Sequence, residues 1–240
     1  MSEAIFVEGL TKTYHGKTVV DHLNLSVKSG TVFGLLGANG AGKSTTIECM
    51  LGTKQAESGT IRLLGQDPKK CRRTLFQRVG VQFQEGDYQK EIKVSELCEE
   101  TACLYRSPAD WRNLCEQFGI GDKANTPVKG LSGGERQRLF IVLALIPQPE
   151  LVFLDELTTG LDAKARHSVW KTLGHLKRQG LTIFLTSHFM DEVEALCDEI
   201  CILKKGTPVF RGTVEQAKQQ CGCERFEDAY LQLSDEEVDA

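Results

Sequence analysis

"TVFGLLGANGAGKSTTIECMLG", Thr31–Gly52, is the stretch that decides the fold. Thr31–Gly37 is a short apolar run that stops at glycine, as a buried strand does. "KSTTIECMLG" reads as a helix of about ten residues closed by Gly52. The turn between them, "GANGAGKST" (Gly37–Thr45), matches G-x-x-x-x-G-K-[ST] between strand and helix, where a phosphate-binding loop belongs. Gly37, Gly40 and Gly42 let successive backbone N–H groups turn inward around a β-phosphate, and the helix dipole adds positive potential. Lys43 brings a full charge toward the β- and γ-phosphates, and Asn39 and Thr45 complete the expected nucleotide-contacting set. Ser44 offers a hydroxyl to Mg²⁺, which prefers hard oxygen ligands. The motif establishes a nucleoside triphosphate site without separating kinase, GTPase and ATPase.

A second apolar run, "ELVFLDE" (Glu150–Glu156), ends in two carboxylates. Asp155 can reach Mg²⁺, directly or through water, and Glu156 can take the proton of an attacking water. His188, in "FLTSHFMDE", follows a third apolar strand. Ligands of open α/β sheets collect at the carboxyl ends of strands, so His188 is placed to donate to the γ-phosphate. His15, His22, His167 and His175 have no such placement and read as surface residues. Gln84, at the end of "VGVQFQ", would bring an amide near Mg²⁺ or the attacking water. Gln82 faces the same way one strand period earlier, but Gln84 is preferred because it ends the strand. Tyr14 precedes "HGKTVVD", where its ring could stack on a nucleobase or pack in the core.

The rest of the chain has an α/β rhythm with a β-rich front. "AIFVEGLTKTY", "LNLSVKSG" and "SGTIRLLGQDP" alternate as strands, and "EICILKKGTPVFRGT" reads as a hairpin turning at Lys205–Gly206. From Val94 to about Phe118 the spacing is helical. In "SPADWRNLCEQFG", Ser107 is the expected N-cap, Pro108 the first helical residue and Gly119 the stop. Among 240 residues the net charge is −4, which argues against a nucleic-acid partner. Nine scattered cysteines without a CxxC pair read as reduced thiols, the CxC at Cys221 and Cys223 being the one place to look for a metal. No signal peptide is expected, and "LFIVLALI" (Leu139–Ile146) is far short of the ~20 residues that span a bilayer. A single domain over 1–240 is expected, with the acidic end at about 234–240 frayed.

One stretch remains, "LSGGERQRL" (Leu131–Leu139), in which two glycines open a charged helix. Ser132, Gly133 and Gly134 form a capped helix start, a second anion-binding turn about ninety positions after the first. With this stretch, the set of motifs resembles the ATP-binding cassette (ABC) ATPase family. "GANGAGKST" matches its Walker A motif, "LVFLDE" its Walker B, "LSGGE" its signature and "GLD" (Gly160–Asp162) its D-loop. His188 matches the switch histidine, Gln84 the Q-loop glutamine and Tyr14 the aromatic A-loop residue.

The resemblance implies an α/β P-loop NTPase fold with a RecA-like core, an antiparallel β subdomain and a helical subdomain at about 86–147. It implies ATP and Mg²⁺ as ligands and head-to-tail pairing with a second ATPase subunit, identical or not. In such a pair the signature residues of one chain close over the nucleotide held by the other, and Asp162 of the D-loop joins the expected nucleotide-binding set. Separate transmembrane permease subunits would anchor the pair to the cytoplasmic face of the membrane. The closing "TSHFMDEVEALCDEI" and "FEDAYLQLS" look like bacterial exporter-type cassettes. A soluble family member acting on ribosomes, DNA or iron–sulfur assembly is the alternative. Two departures stand out: Leu157 and Ala163 occupy positions where the family often has proline, which is expected to loosen the local backbone.

Overall fold

The computed structural model describes residues 2–82, 88 and 91–234. Strands β1 (Glu3–Tyr14) and β2 (Lys17–Lys28) form an antiparallel hairpin. Its turn, His15–Gly16, has φ of 48° and 79°, the left-handed pair that matches the twist of a two-residue hairpin. On the other edge of β1 lies β4 (Ser58–Leu63), completing a three-stranded antiparallel sheet.

The second sheet holds β3 (Val32–Leu36), β5 (Val79–Gln82), β6 (Leu151–Leu154), β7 (Thr182–Thr186), β8 (Glu199–Lys204) and β9 (Thr207–Gly212). Their order is β5-β6-β7-β3-β8-β9. The first five are parallel, and β9 returns antiparallel to β8 through the Lys205–Gly206 turn. Alternation along the central strands sends Val32, Val152, Leu154, Ile183 and Leu185 into one core and Phe33, Leu35, Leu151, Phe153 and Phe184 into another. With both faces covered, these strands become continuous apolar runs in sequence. The Phe184 ring joins its neighbours across the sheet, 5.6 Å from Phe33 and 5.3 Å from Phe153 between centroids.

The helices are α1 (Lys43–Met50), α2 (Arg72–Leu75), α3 (Val94–Cys103), α4 (Trp111–Gln117), α5 (Gly133–Leu145), α6 (Ala163–Arg178), α7 (Met190–Leu196), α8 (Val214–Cys221) and α9 (Phe226–Ser234). Helices α3, α4 and α5 lie between β5 and β6, and their apolar residues share one core with those of β6, β7 and α6. The start of α4 differs from the sequence expectation. Its N-cap is Asp110, whose carboxylate accepts from the Arg112 N–H at 3.0 Å, and neither Ser107 nor Pro108 is helical. The Ala109 N–H donates to Ile146 O at 2.8 Å, so the segment before Asp110 is drawn to the end of α5 instead of winding into α4. A third core joins α7, α8 and α9 to β8, with Phe226 fully buried at its centre.

Ser234 lies in the last turn of α9 and is buried, so the expected frayed end does not include it; residues 235–240 lie outside the described residues. All nine cysteines are free thiols. Cys197 caps the end of α7 and Cys201 lies in β8, and burial pushes the Cys201 thiol up to about 12. Cys221 and Cys223 point their sulfurs at backbone carbonyls, those of Ala229 and Cys221.

Candidate nucleotide site

The order of the parallel strands builds the site. Because β7 lies between β6 and β3, three adjacent carboxyl ends deliver Asp155–Glu156, Thr186–His188 and the Gly37–Lys43 loop to one edge. Two glycines of the loop fit nothing larger. A Cβ on Gly37 (φ 143°) would stand 2.4 Å from Leu203 O, and one on Gly42 (φ 104°) would stand 2.6 Å from Val19 O. Gly42 is the N-cap of α1, no side chain caps that end, and the first turn carries no acid. Its leading N–H groups therefore remain available to an anion. The Lys43 ammonium donates to Gly37 O at 2.6 Å and Ala38 O at 3.0 Å, which folds the long side chain back along the loop. A cavity of about 320 Å³ opens here, lined by Val19, Asn39, Gly40, Gly42, Lys43, Ser44, Thr45, Asp155 and Glu156.

The acidic edge is organised by a residue that the sequence motifs do not mark. Thr186 ends β7, and its hydroxyl donates to Asp155 Oδ1 while accepting from the Glu156 N–H at 2.9 Å. Asp155 is buried, and burial raises its pKa against the lowering effects of that hydroxyl and of Lys43. Its own N–H donates to Gln82 O at the end of β5, 3.2 Å away. Glu156 has φ of 52°, a left-handed conformation that costs a non-glycine residue about 1–3 kcal/mol unless its surroundings hold it. This backbone brings the Glu156 carboxylate within 3.4 Å of both His188 Nε2 and the Thr159 hydroxyl.

Thr186→Val, which keeps the shape and removes the hydroxyl, is expected to lower ATP turnover roughly ten- to a hundredfold. That range corresponds to losing hydrogen bonds to a charged partner, about 1.5–3 kcal/mol. Steady-state hydrolysis checks it, with Thr186→Ser retaining most of the rate.

Other expected residues stand apart from this cavity. The ring of Tyr14 lies beneath two ammonium groups, 4.8 Å from Lys12 and 5.4 Å from Lys54, and does not line it. Gln84 lies outside the described residues. The four histidines expected at the surface are exposed, and His167 rests edge-on against Trp170. Asp162 caps α6, its carboxylate accepting from the Ala165 N–H at 2.8 Å.

Ser132, Gly133 and Gly134 open α5, also away from the cavity. There Ser132 Oγ accepts from the Glu135 N–H at 3.2 Å, and the Ser132 N–H donates to Glu135 at 2.8 Å. This capping box, with Lys123 alongside, holds the Glu135 carboxyl down to about 2. Because the folded value is depressed, its stabilisation is full above the ordinary value near 4.5 and is lost as pH falls through about 2.

A second unmarked residue, Gln137, donates its amide to Glu156 O at 3.0 Å and Leu157 O at 2.9 Å. Both departures from proline fall where the backbone is held by other means. Leu157 is fully buried and uses the N–H that proline lacks, donating to Thr186 O at 3.4 Å. Ala163 is the first residue of α6, where the helix itself fixes φ.

A glycine-rich loop between a central parallel strand and an uncapped helix, faced by carboxylates on the neighbouring strand, defines a P-loop nucleoside triphosphatase. The profile of the ABC transporter family matches residues 20–159, and the chain belongs to that family. It is 40% identical over 227 residues to the Nod factor export ATP-binding protein I of Ralstonia nicotianae, covering 92% of this chain and 71% of that one. The same protein of Mesorhizobium japonicum is 41% identical over 231 residues, covering 93% and 68%. A solved structure of the ATP-binding subunit of an ABC transporter superposes with a TM-score of 0.87 at 25% identity, covering 96% of this chain and 99% of that one. The chain is thus an ATP-binding, ATP-hydrolysing subunit of an ABC transporter.

Proposed function

We propose that this subunit works as one of a pair of cassettes that drive export through separate membrane subunits, each nucleotide being held by the Gly37–Thr45 loop of one chain and covered by Ser132–Gly134 of its mate. The observation that carries the reading is the separation, within one chain, of the glycine-rich start of α1 from the glycine-rich start of α5. The cavity takes its lining from the loop and the acidic edge, while Ser132 and Gly133 are exposed, and a Cβ on Gly133 would meet nothing within 4 Å. That helix start is exposed, so a phosphate presented from outside the chain can reach it.

In the proposed reaction Glu156 takes the proton of the attacking water as the new P–O bond forms and the bond to the β–γ bridging oxygen breaks, releasing ADP. His188, 3.4 Å from the Glu156 carboxylate, steadies it and offers a donor to the γ-phosphate. Ser44 and Asp155, two oxygen donors lining the same cavity beside Lys43, suit Mg²⁺, with Gln84 the third expected ligand. When bound, the cation neutralises charge on the phosphate oxygens.

Export is the role named for the relatives, which favours transport over ribosome, DNA or iron–sulfur work. Among the described residues no helix is long and apolar enough to cross a membrane. A cargo pathway built by separate membrane subunits, with this chain docked at their cytoplasmic face, is the arrangement that membership of the transporter family supports. Specific ATPase activity is expected to rise with protein concentration and then level off. Constant activity in dilutions that sedimentation shows to be monomeric would sink the paired site. Detergent-solubilised membranes should yield a polytopic partner in a pull-down, and retrieval of ribosomes in its place would support the soluble alternative.

A further inference from the structure

We propose that Gln137 is a positioning residue that ties the signature helix to the catalytic carboxylate of its own chain, so that seating Ser132 on the mate's nucleotide is transmitted to Glu156; this rests on the paired reading above. Gln137 lies on α5 one turn beyond Gly133, in the helix that Ser132 caps. Both donors of its amide are committed, one to Glu156 O and one to Leu157 O. With the Thr186 hydroxyl on the Glu156 N–H, the peptide groups on either side of Glu156 are gripped from two different elements. That grip maintains the left-handed backbone which aims the carboxylate at His188.

A second contact reinforces the first. At the start of α5, Gly134 lies so close to the loop before Asp162 that a Cβ would stand 3.1 Å from Leu161 Cδ2 and 3.3 Å from Gly160 O. The helix that reaches toward one nucleotide therefore backs, at two successive turns, the loop that hydrolyses the other. Arg138 ties α5 to the turn that follows α4, donating to Phe118 O at 3.2 Å and Gly119 O at 3.0 Å. A small shift of α5 is delivered to the Glu156 peptide instead of being absorbed by a loose contact.

Gln137→Leu is expected to lower kcat at least tenfold while KM for ATP and the affinity for a fluorescent ATP analogue stay within twofold. Gln137→Lys, whose ammonium can again donate to both carbonyls, is expected to recover most of that loss. An unchanged kcat in Gln137→Leu, or a Gln137→Lys variant no better than Gln137→Leu, would overturn the proposal. A parallel fall in nucleotide affinity would do the same, because it marks a merely structural role. In the Glu156→Gln background, Gln137→Leu is expected to leave the ATP-dependent dimer intact by sedimentation. Loss of the dimer in the double variant alone would place Gln137 at the interface and overturn the proposal. Absence of the dimer with Gln137 intact would instead fault the paired reading, and the transmission with it.

Discussion

Glu156→Gln is expected to slow ATP hydrolysis about 10²–10⁴-fold, the usual cost of removing a general base, while nucleotide affinity stays at the parent value. The substitution is a narrow one here. The bonds that hold the left-handed backbone, from the Glu156 N–H to Thr186 and from Gln137 to the Glu156 carbonyl, belong to the main chain and survive it. Lys43 and the uncapped start of α1, the groups expected to grip the triphosphate, are untouched. What disappears is the ability to accept a proton. Uncut ATP should then hold two chains together, visible as an ATP-dependent dimer in size-exclusion chromatography. Hydrolysis at the parent rate would mean that another group is the base.

Ser132→Arg should produce a comparable loss by a different route. It removes the N-cap of α5, worth about 1 kcal/mol, and sets a cation at the positive end of the helix dipole. Of the two capping-box bonds only the one accepted by the Ser132 hydroxyl is lost, since the Ser132 N–H that donates to Glu135 belongs to the main chain. None of this reaches the phosphate loop, so each chain should bind ATP as before. If Ser132 completes the mate's site, turnover should fall by about 10²–10³, as when one preorganised donor to a transition-state oxygen is lost. Titration with a fluorescent nucleotide and steady-state hydrolysis separate the two effects. Ser132→Asn, which preserves a capping side chain, controls for simple fraying of the helix. A fully active Ser132→Arg protein would exclude the signature turn from catalysis.

The central strands were legible because burial on both faces leaves unbroken apolar runs, as in Leu151–Leu154 and Thr182–Thr186. The phosphate loop was legible because its glycines answer to local backbone geometry. The start of α4 was misread because a tertiary bond, Ala109 N–H to Ile146 O, outweighs the preference of Ser-Pro for a helix start. Helices α8 and α9 were not anticipated, although Thr213 and Gln216 have the spacing of the capping box that they form. Thr186 and Gln137 escaped for a deeper reason. Their importance depends on which strand lies beside which and on where α5 crosses the loop after β6, and neither is written in any short motif. The paired carboxylates can be found by pattern, but the groups that aim them are found only in three dimensions.

The placement of the site on β6, β7 and β3 also bears on how the molecule moves. Those strands are the sheet's interior, covered on both sides, so their amides should exchange with solvent only when the whole domain opens. The candidate catalytic groups rooted there cannot gain mobility from local breathing of their floor. Any gating of turnover must come from the elements laid over that edge, and deuterium uptake across a nucleotide titration should change on α5 and the 156–162 loop while the strands beneath stay silent.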